Sequence, residues 1–260
     1  LEDTDKMSAI LNVSDGATLT IDGSAKVDGN KFGNGIHVKD GGKLIVKGKS
    51  TIENGRYANI VISEKASAII EGGSVNNAAT HGVVNKGKLD ITGGTLSGAE
   101  TGAVVYNTGT ATQSGGTIEK AGVHNVYIAA GTFTMTGGKN DDATKDGVSI
   151  QKGAKAEITG GDVTNSVHGL CNDGDMSVGK ITLDTCGIMN YKNGILNIDG
   201  TTVENAGTYS LGNNGGKVVA KNFTAKKGNS CAIYNFAGDM ELIDVTTEGI
   251  REANITNGGG

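Results

Sequence analysis

The feature that most constrains this chain is a short phrase that returns along its whole length. The phrase joins an apolar residue, one spacer and a glycine pair, as in IEGGS from Ile70, ITGGT from Ile91 and ITGGD from Ile158. Degenerate copies extend the series in both directions, and successive copies begin 20 to 25 residues apart, about 22 on average. A fixed period of this size indicates a repeat architecture in which each unit is one supersecondary element. The copies open at Ile21, Val46, Ile70, Ile91, Gln113, Met135, Ile158, Val178, Ile198, Val218 and Met240.

Within one repeat the apolar residues follow a period of two. In the segment GVVNKGKLDITGGTL, residues 82–96, Leu89 and Ile91 alternate around Asp90, and Leu96 follows five residues after Ile91. Alternation over short runs that glycine interrupts predicts strands and turns. No stretch predicts an amphipathic helix, because glycine, at 44 of 260 residues, interrupts nearly every ten-residue window.

Each repeat therefore holds roughly three short strands, and stacking of consecutive repeats buries their apolar faces in one continuous core. The sequence predicts an all-β fold, a single-stranded right-handed parallel β-helix of about eleven coils. Its handedness follows from the general bias of parallel crossovers, and its length is on the order of 50 Å at the usual strand spacing. The absence of proline agrees with a stack of paired strands, because proline lacks the N–H group that would donate a hydrogen bond to the neighbouring coil. We expect residues 1–260 to form one continuous domain of a longer protein.

Composition excludes several classes of protein. The net charge is −5, and the positive charge is nearly all lysine, with Arg56 and Arg251 as the arginines, so there is no footprint for nucleic acid. No run of 18 apolar residues indicates a transmembrane helix. The cysteines are odd in number and lack CxxC spacing, so we interpret them as small apolar residues. A flexible glycine-rich linker is the alternative, but the regularly spaced β-branched residues favour an ordered repeat. The cysteines are Cys171, Cys186 and Cys231.

A column of asparagines ends the apolar strands GVVN, VVYN, GLCN, GIMN and AIYN. Stacked at one corner, their amides could bond to the coils above and below, although asparagine could also stand there because it tolerates left-handed backbone. The column resembles the asparagine ladder of the right-handed β-helix, or pectin-lyase-like, superfamily. That resemblance implies a fold shared by polysaccharide lyases, glycosidases and non-catalytic surface proteins. The residues are Asn85, Asn107, Asn172, Asn190 and Asn235.

The densest group of carboxylates lies in NDDATKDG, residues 140–147. Asp141, Asp142 and Asp146 offer hard oxygen ligands that could hold Ca²⁺, but their spacing matches no EF-hand or calcium-binding nonapeptide. The segment also places Asn140 where other repeats carry an apolar residue, so we interpret it first as a solvated loop at a coil boundary. Neither a lyase-type cluster nor a pair of facing carboxylates for glycoside hydrolysis emerges, and we assign no catalytic residue and no resident cofactor.

Three residues share a position four residues before the ladder asparagine, namely His81, His168 and Cys186, and Cys231 joins them. His168 and Cys186 fall in successive coils, so their Cα atoms are expected about 5 Å apart. Two such ligands do not complete a zinc site, which needs three or four. We interpret the column as a partly buried turn.

The absence of clustered catalytic residues leads to the expectation of a non-enzymatic extracellular rod or scaffold in a bacterial surface or secreted protein, such as an adhesin, a stalk or a self-assembling fibre subunit. The repeats resemble those of bacterial surface adhesins and autotransporter-type passengers. We expect host or bacterial surface glycans or proteins as partners and no direct membrane insertion. We also expect end-to-end self-association, because an unsealed end of the β-helix is an unpaired strand edge. The alternative is a pectin-lyase-like carbohydrate-active enzyme or a carbohydrate-binding β-helix.

Overall fold

The computed structural model describes residues 8–258, which form thirty β-strands and no helix. The first fifteen are β1 Ala9–Val13, β2 Thr18–Ile21, β3 Lys26–Asp28, β4 Asn34–Val38, β5 Lys43–Val46, β6 Thr51–Glu53, β7 Ala58–Ile62, β8 Ser67–Ile70, β9 Ser74–Asn76, β10 His81–Asn85, β11 Lys88–Ile91, β12 Thr95–Ser97, β13 Ala103–Asn107, β14 Thr110–Gln113 and β15 Thr117–Glu119. The others are β16 His124–Ile128, β17 Thr132–Asp141, β18 Asp146–Ile150, β19 Lys155–Thr164, β20 His168–Asn172, β21 Asp175–Val178, β22 Thr182–Asp184, β23 Gly187–Tyr191, β24 Ile195–Asp199, β25 Thr202–Glu204, β26 Tyr209–Lys221, β27 Thr224–Lys226, β28 Cys231–Ile243, β29 Thr246–Glu248 and β30 Ala253–Asn257.

The strands wind into a parallel β-helix, as the repeat period predicts. Each strand pairs in parallel with its equivalent one coil further along the chain, so that Val46 lies beside Ile70 and Ile70 beside Ile91. About eleven coils follow one another, each about 22 residues long. The predicted domain of residues 1–260 includes residues 1–7 and 259–260, which lie outside the described residues. Within residues 8–258 no helix has the length and apolar character of a membrane span.

The register differs from the sequence prediction in the last two repeats. Ile198 lies beside Ala220, and Ala220 beside Leu242, so the predicted copies at Val218 and Met240 are two residues early. The error has a physical source, because alternation with a period of two allows two registers that both bury apolar residues. In these coils the strands β26 and β28 run straight through the corner that follows the ladder asparagine, and they end before the corner where earlier coils carry a glycine pair.

The core fills the interior of the coils with columns of branched aliphatic side chains and two fully buried phenylalanines, Phe133 and Phe223. Two neighbouring coils each place one polar residue in the core instead. Asn140 is fully buried and donates from Nδ2 to Oε1 of the equally buried Gln113 at 3.0 Å. The expectation of a solvated loop from residue 140 is therefore wrong at its start, since Asn140 and Asp141 continue β17 and the mutual hydrogen bond replaces apolar packing.

Each glycine of the repeated phrase has its own reason to lack a side chain. The second glycine, such as Gly94 with φ of 76°, adopts the left-handed conformation that other residues avoid. The first, such as Gly93, passes so close to the backbone oxygen of Glu71 that a Cβ atom would collide with it. The phrase is thus a corner of the coil.

The predicted asparagine ladder is present and runs in two segments. Asn85 donates to Asn107 at 2.7 Å, and after an interruption the second segment begins with Asn172 donating to Asn190 at 2.7 Å. The second segment continues through Asn213 and Asn235 to Asn257 at 2.9, 3.0 and 3.2 Å. Left-handed backbone belongs to other residues at a different corner, so the ladder amides occupy their positions for the hydrogen bonds between coils. Ile128 and Ile150 fill the interruption.

Candidate functional site

All four histidines and all six tyrosines of the chain lie in or directly beside one column of strands, the column that ends at the asparagine ladder. We call the outer surface of this column the ladder face. Its strands are β4, β7, β10, β13, β16, β18, β20 and β23, followed by the first parts of β26 and β28. The histidines are His37, His81, His124 and His168, and the tyrosines are Tyr57, Tyr106, Tyr127, Tyr191, Tyr209 and Tyr234.

Aromatic rings form two groups along the ladder face. In the first group His81 lies between Tyr57 and Tyr106, with ring centroids 5.7 and 5.1 Å away, and Tyr106 stacks on Tyr127 at 5.5 Å. This group covers a small apolar cluster outside the coil interior, made of Ala58, Val61 and Val84, all of them buried. Part of the group therefore stabilises the fold. The second group joins Tyr209, Tyr234 and Phe236, with centroids 4.0 to 5.2 Å apart.

Between the two groups lies an open groove of about 1060 Å³ that spans several coils. Tyr127 and Tyr191 contribute aromatic rings, and Lys145 and Lys192 contribute positive charge. Neither lysine has a carboxylate within ion-pair distance in the part of the chain that the structure describes. A concave surface that combines aromatic rings with converging polar groups is a candidate ligand-binding site.

A buried carboxylate stands between two histidines at the centre of this groove. Parallel pairing places His124, Asp146 and His168 side by side in three successive coils. The Nδ1 atom of His168 donates a hydrogen bond to Oδ1 of Asp146 at 2.9 Å. The Nδ1 atom of His124 lies 2.9 Å from Oδ2, an ion-pair contact that lacks good hydrogen-bond geometry. Asp146 is only 5% exposed, so the two rings enclose it.

The two histidines hold Asp146 in its charged form. Burial by itself raises the pKa of a carboxyl group, but the contacts from His124 and His168 outweigh burial and lower the pKa of Asp146 to about 2. An ionised carboxylate can only accept hydrogen bonds, so Nδ1 of His168 must carry a proton. In the neutral imidazole the other nitrogen, Nε2, is then unprotonated and carries a lone pair.

Two further polar groups in the groove are unsuited to nucleophilic or acid–base chemistry. Burial, with the nearby charge of Asp146, raises the pKa of the Cys171 thiol to about 12, so the reactive thiolate is not formed near neutral pH. The carboxylate of Asp173 accepts hydrogen bonds from the backbone N–H and the side-chain amide of Asn193, at 3.0 and 3.1 Å. Of the two histidines in the groove, His168 is the one that a hydrogen bond to Asp146 orients.

The structure separates the three aspartates proposed as calcium ligands. Asp141 accepts from Lys139 and Asn165 at 2.8 Å, while Asp146 is enclosed by the two histidines of the ladder face. Asp142 lies at a corner with φ of 55°, beside a different groove of about 580 Å³. Within residues 8–258 no three His, Cys, Asp or Glu side chains come close enough to hold a metal ion. Calcium binding stays a prediction, tested below.

The predicted histidine and cysteine column is only partly present. His168 lies beside Gly187 because the strand pairing is irregular there, and Cys186 turns into the core, where its Sγ lies 3.4 Å from the backbone oxygen of Val163. The juxtaposition of His168 with Cys186 is therefore wrong. The asparagine pattern did not identify His124, and it did not place Asp146 beside a histidine, because the strands of both residues end in isoleucine. The 22-residue intervals from His124 to Asp146 and on to His168 were the available signal.

Comparison with known proteins does not assign a function to this chain, so the geometry of the groove is the basis for an assignment. No residue role and no ligand can therefore be carried over from a relative, and the shape and chemistry of the groove must carry the assignment. No protein-family model, no curated protein and no solved structure gives a significant match to the chain.

Proposed function

We propose that this chain is an extracellular rod of a bacterial surface or secreted protein that binds a ligand along its ladder face, in the manner of an adhesin. A stalk needs only the rod, whereas an adhesin also needs a binding surface. The observation that carries the proposal is the restriction of every histidine and every tyrosine to one of the faces of the solenoid. Aromatic rings with polar edges are enriched at protein interfaces because they offer large contact area at low entropic cost.

A saccharide chain is the ligand that fits this face best. The groove is open, extends along the axis, and offers the rings of Tyr127 and Tyr191 together with the polar side chains of Gln151 and Asn193. Flat apolar rings suit the apolar faces of sugar rings, and the amides suit their hydroxyl groups. The resemblance of the ladder to that of pectin-lyase-like proteins supports a carbohydrate ligand independently of the groove.

Glycan-array binding followed by titration of the best ligand tests this proposal. We expect Tyr127→Ala and Tyr191→Ala to weaken binding about tenfold each, the loss expected for one aromatic contact of about 1.4 kcal/mol. The matched control is Phe32→Ala, which removes an aromatic side chain that is 77% exposed and lies outside the groove. Equal binding by the groove variants and the control, or no binding to any glycan, contradicts the proposal.

A carbohydrate-active enzyme of the pectin-lyase-like class is the second candidate, and the axial groove favours it. Hydrolysis of a glycosidic bond uses two carboxyl groups that flank the scissile bond. The two aspartates of the groove, Asp146 and Asp173, are both held by other side chains. Release of unsaturated or reducing sugars from a panel of polysaccharides would favour this candidate over a binding rod.

A further inference from the structure

The groove contains an imidazole that is oriented as a general base. The hydrogen bond from Nδ1 of His168 to Oδ1 of Asp146, at 2.9 Å, places the proton of the neutral ring on Nδ1 and its lone pair on Nε2. The side chain of His168 is 24% exposed and lines the groove, so a small molecule in the groove can reach it. A base hydrogen-bonded to an orienting carboxylate is the arrangement that enzymes use to activate a nucleophile.

Water is the nucleophile that this base can activate. The Cys171 thiol is a poor alternative, because burial keeps it protonated. The aspartates are engaged by histidine and asparagine side chains, which disfavours chemistry that requires two free carboxyl groups. A carbonyl carbon requires only one oriented base and a positive environment for the developing oxyanion, and Lys145 and Lys192 line the same groove. We propose that this groove hydrolyses carboxylic esters with His168 as the general base, an activity beyond the proposed binding role.

The reaction balances without a cofactor. Nε2 of His168 takes a proton from water while the water oxygen bonds to the ester carbonyl carbon. The carbonyl electron pair moves onto its oxygen, and the lysine ammonium groups stabilise this oxyanion. The pair then re-forms the carbonyl, the bond to the alcohol oxygen breaks, and that oxygen takes the proton from Nε2. The products are one carboxylic acid and one alcohol, and His168 returns to its starting state.

Hydrolysis of p-nitrophenyl acetate by the full chain tests the proposal. We expect His168→Gln to lower kcat/KM about 100-fold, the lower end of general-base contributions. The matched control is His37→Gln, which removes a histidine from the same face but outside the groove, where its Nε2 lies 3.0 Å from Oγ of Ser63. Asp146 acts as a positioning residue, so Asp146→Asn should lower kcat and leave KM unchanged. Circular dichroism melts confirm that each variant is folded.

Three outcomes would overturn the proposal. The first is wild-type hydrolysis that does not exceed the buffer rate. The second is equal activity in the His168→Gln and His37→Gln variants, which would show that hydrolysis does not depend on His168. The third is inactivation by iodoacetamide, which would make a thiol and not water the nucleophile. Failure of glycan binding leaves this test intact, because the ester probe contains no sugar.

Discussion

Removal of a buried amide from the asparagine ladder should destabilise the protein far more than removal of a partly exposed one. Asn190 is fully buried, accepts from Asn172 at 2.7 Å, and donates to Asn213 at 2.9 Å and to the backbone oxygen of Gly194 at 3.2 Å. The substitution Asn190→Ala leaves these three partners short of one bond each inside the protein. The change also opens a small cavity next to the corner.

The expected magnitude follows from the number of bonds and from burial. Each buried group that loses its partner costs about 1–3 kcal/mol, so three of them cost about 3–5 kcal/mol, since the Asn172 amide keeps a second bond to Ile195. Asn235 is a matched control, with bonds to Asn213, Gly238 and Asn257 at 3.0 to 3.2 Å. Because Asn235 is partly exposed, water can replace its bonds, and Asn235→Ala should cost about 1 kcal/mol.

Urea unfolding followed by circular dichroism measures both variants against the wild type. The midpoint should fall markedly for Asn190→Ala and slightly for Asn235→Ala, with an unchanged slope if unfolding stays cooperative. Tyrosine fluorescence should report the same midpoint, which excludes separate unfolding of the coils near the substitution. Equal losses in the two variants, or a loss below about 1 kcal/mol for Asn190→Ala, would refute the view that burial of the ladder bonds determines their contribution.

Three further predictions concern the corners, the groove and calcium. Gly94→Ala should lower the free energy of unfolding by more than about 2 kcal/mol, because a Cβ atom would lie 2.8 Å from the Gly72 backbone. Gly16 has open space around it, so Gly16→Ala should lower it only by the strain of the left-handed backbone, about 1 kcal/mol. Urea unfolding measures both variants. The folded-state pKa of Asp146, about 2, lies below its ordinary value of 3.8, so Asp146 should contribute about 2 kcal/mol to the free energy of unfolding above about pH 4. This contribution should be lost as the pH falls towards 2. In acid unfolding curves, Asp146→Asn should remove this pH dependence. If Asp141 and its neighbours bind Ca²⁺, the thermal midpoint should rise with added calcium and fall with EDTA, and an unchanged midpoint would remove that hypothesis.

The fold could be predicted from the sequence because the same pattern of apolar residues and turns recurs in repeat after repeat. The alternation around Asp90 returns in most coils, and the glycine pair that follows Ile91 returns in four others, so a degenerate copy can be assigned from its neighbours. Where the phrase is lost, near Val218, the register could not be selected, because both possible registers bury alternate residues. The period of two that identifies the strands therefore does not determine the register in which they pair with the neighbouring coil.

The candidate site was harder to predict because it lies where the pattern fails. His124 and Asp146 belong to the two coils in which isoleucine interrupts the asparagine ladder, so a search guided by asparagine passes over them. The turn of Cys186 into the core depends on an irregularity in strand pairing that alternation does not reveal. The sequence placed Asp146 in an acidic loop with Asp141, whereas the strand register places it between two imidazoles of neighbouring coils.

The parallel, in-step pairing of the coils makes the ladder face a molecular ruler. Most side chains on this face have a counterpart one coil further along the axis, at an increment of about 4.8 Å. Insertion or deletion of one coil would change the separation of the two aromatic groups by one increment and leave the chemistry of each corner unaltered. A polymer whose own repeat is commensurate with this increment would be selected by length as well as by composition, so the number of coils itself becomes a determinant of specificity.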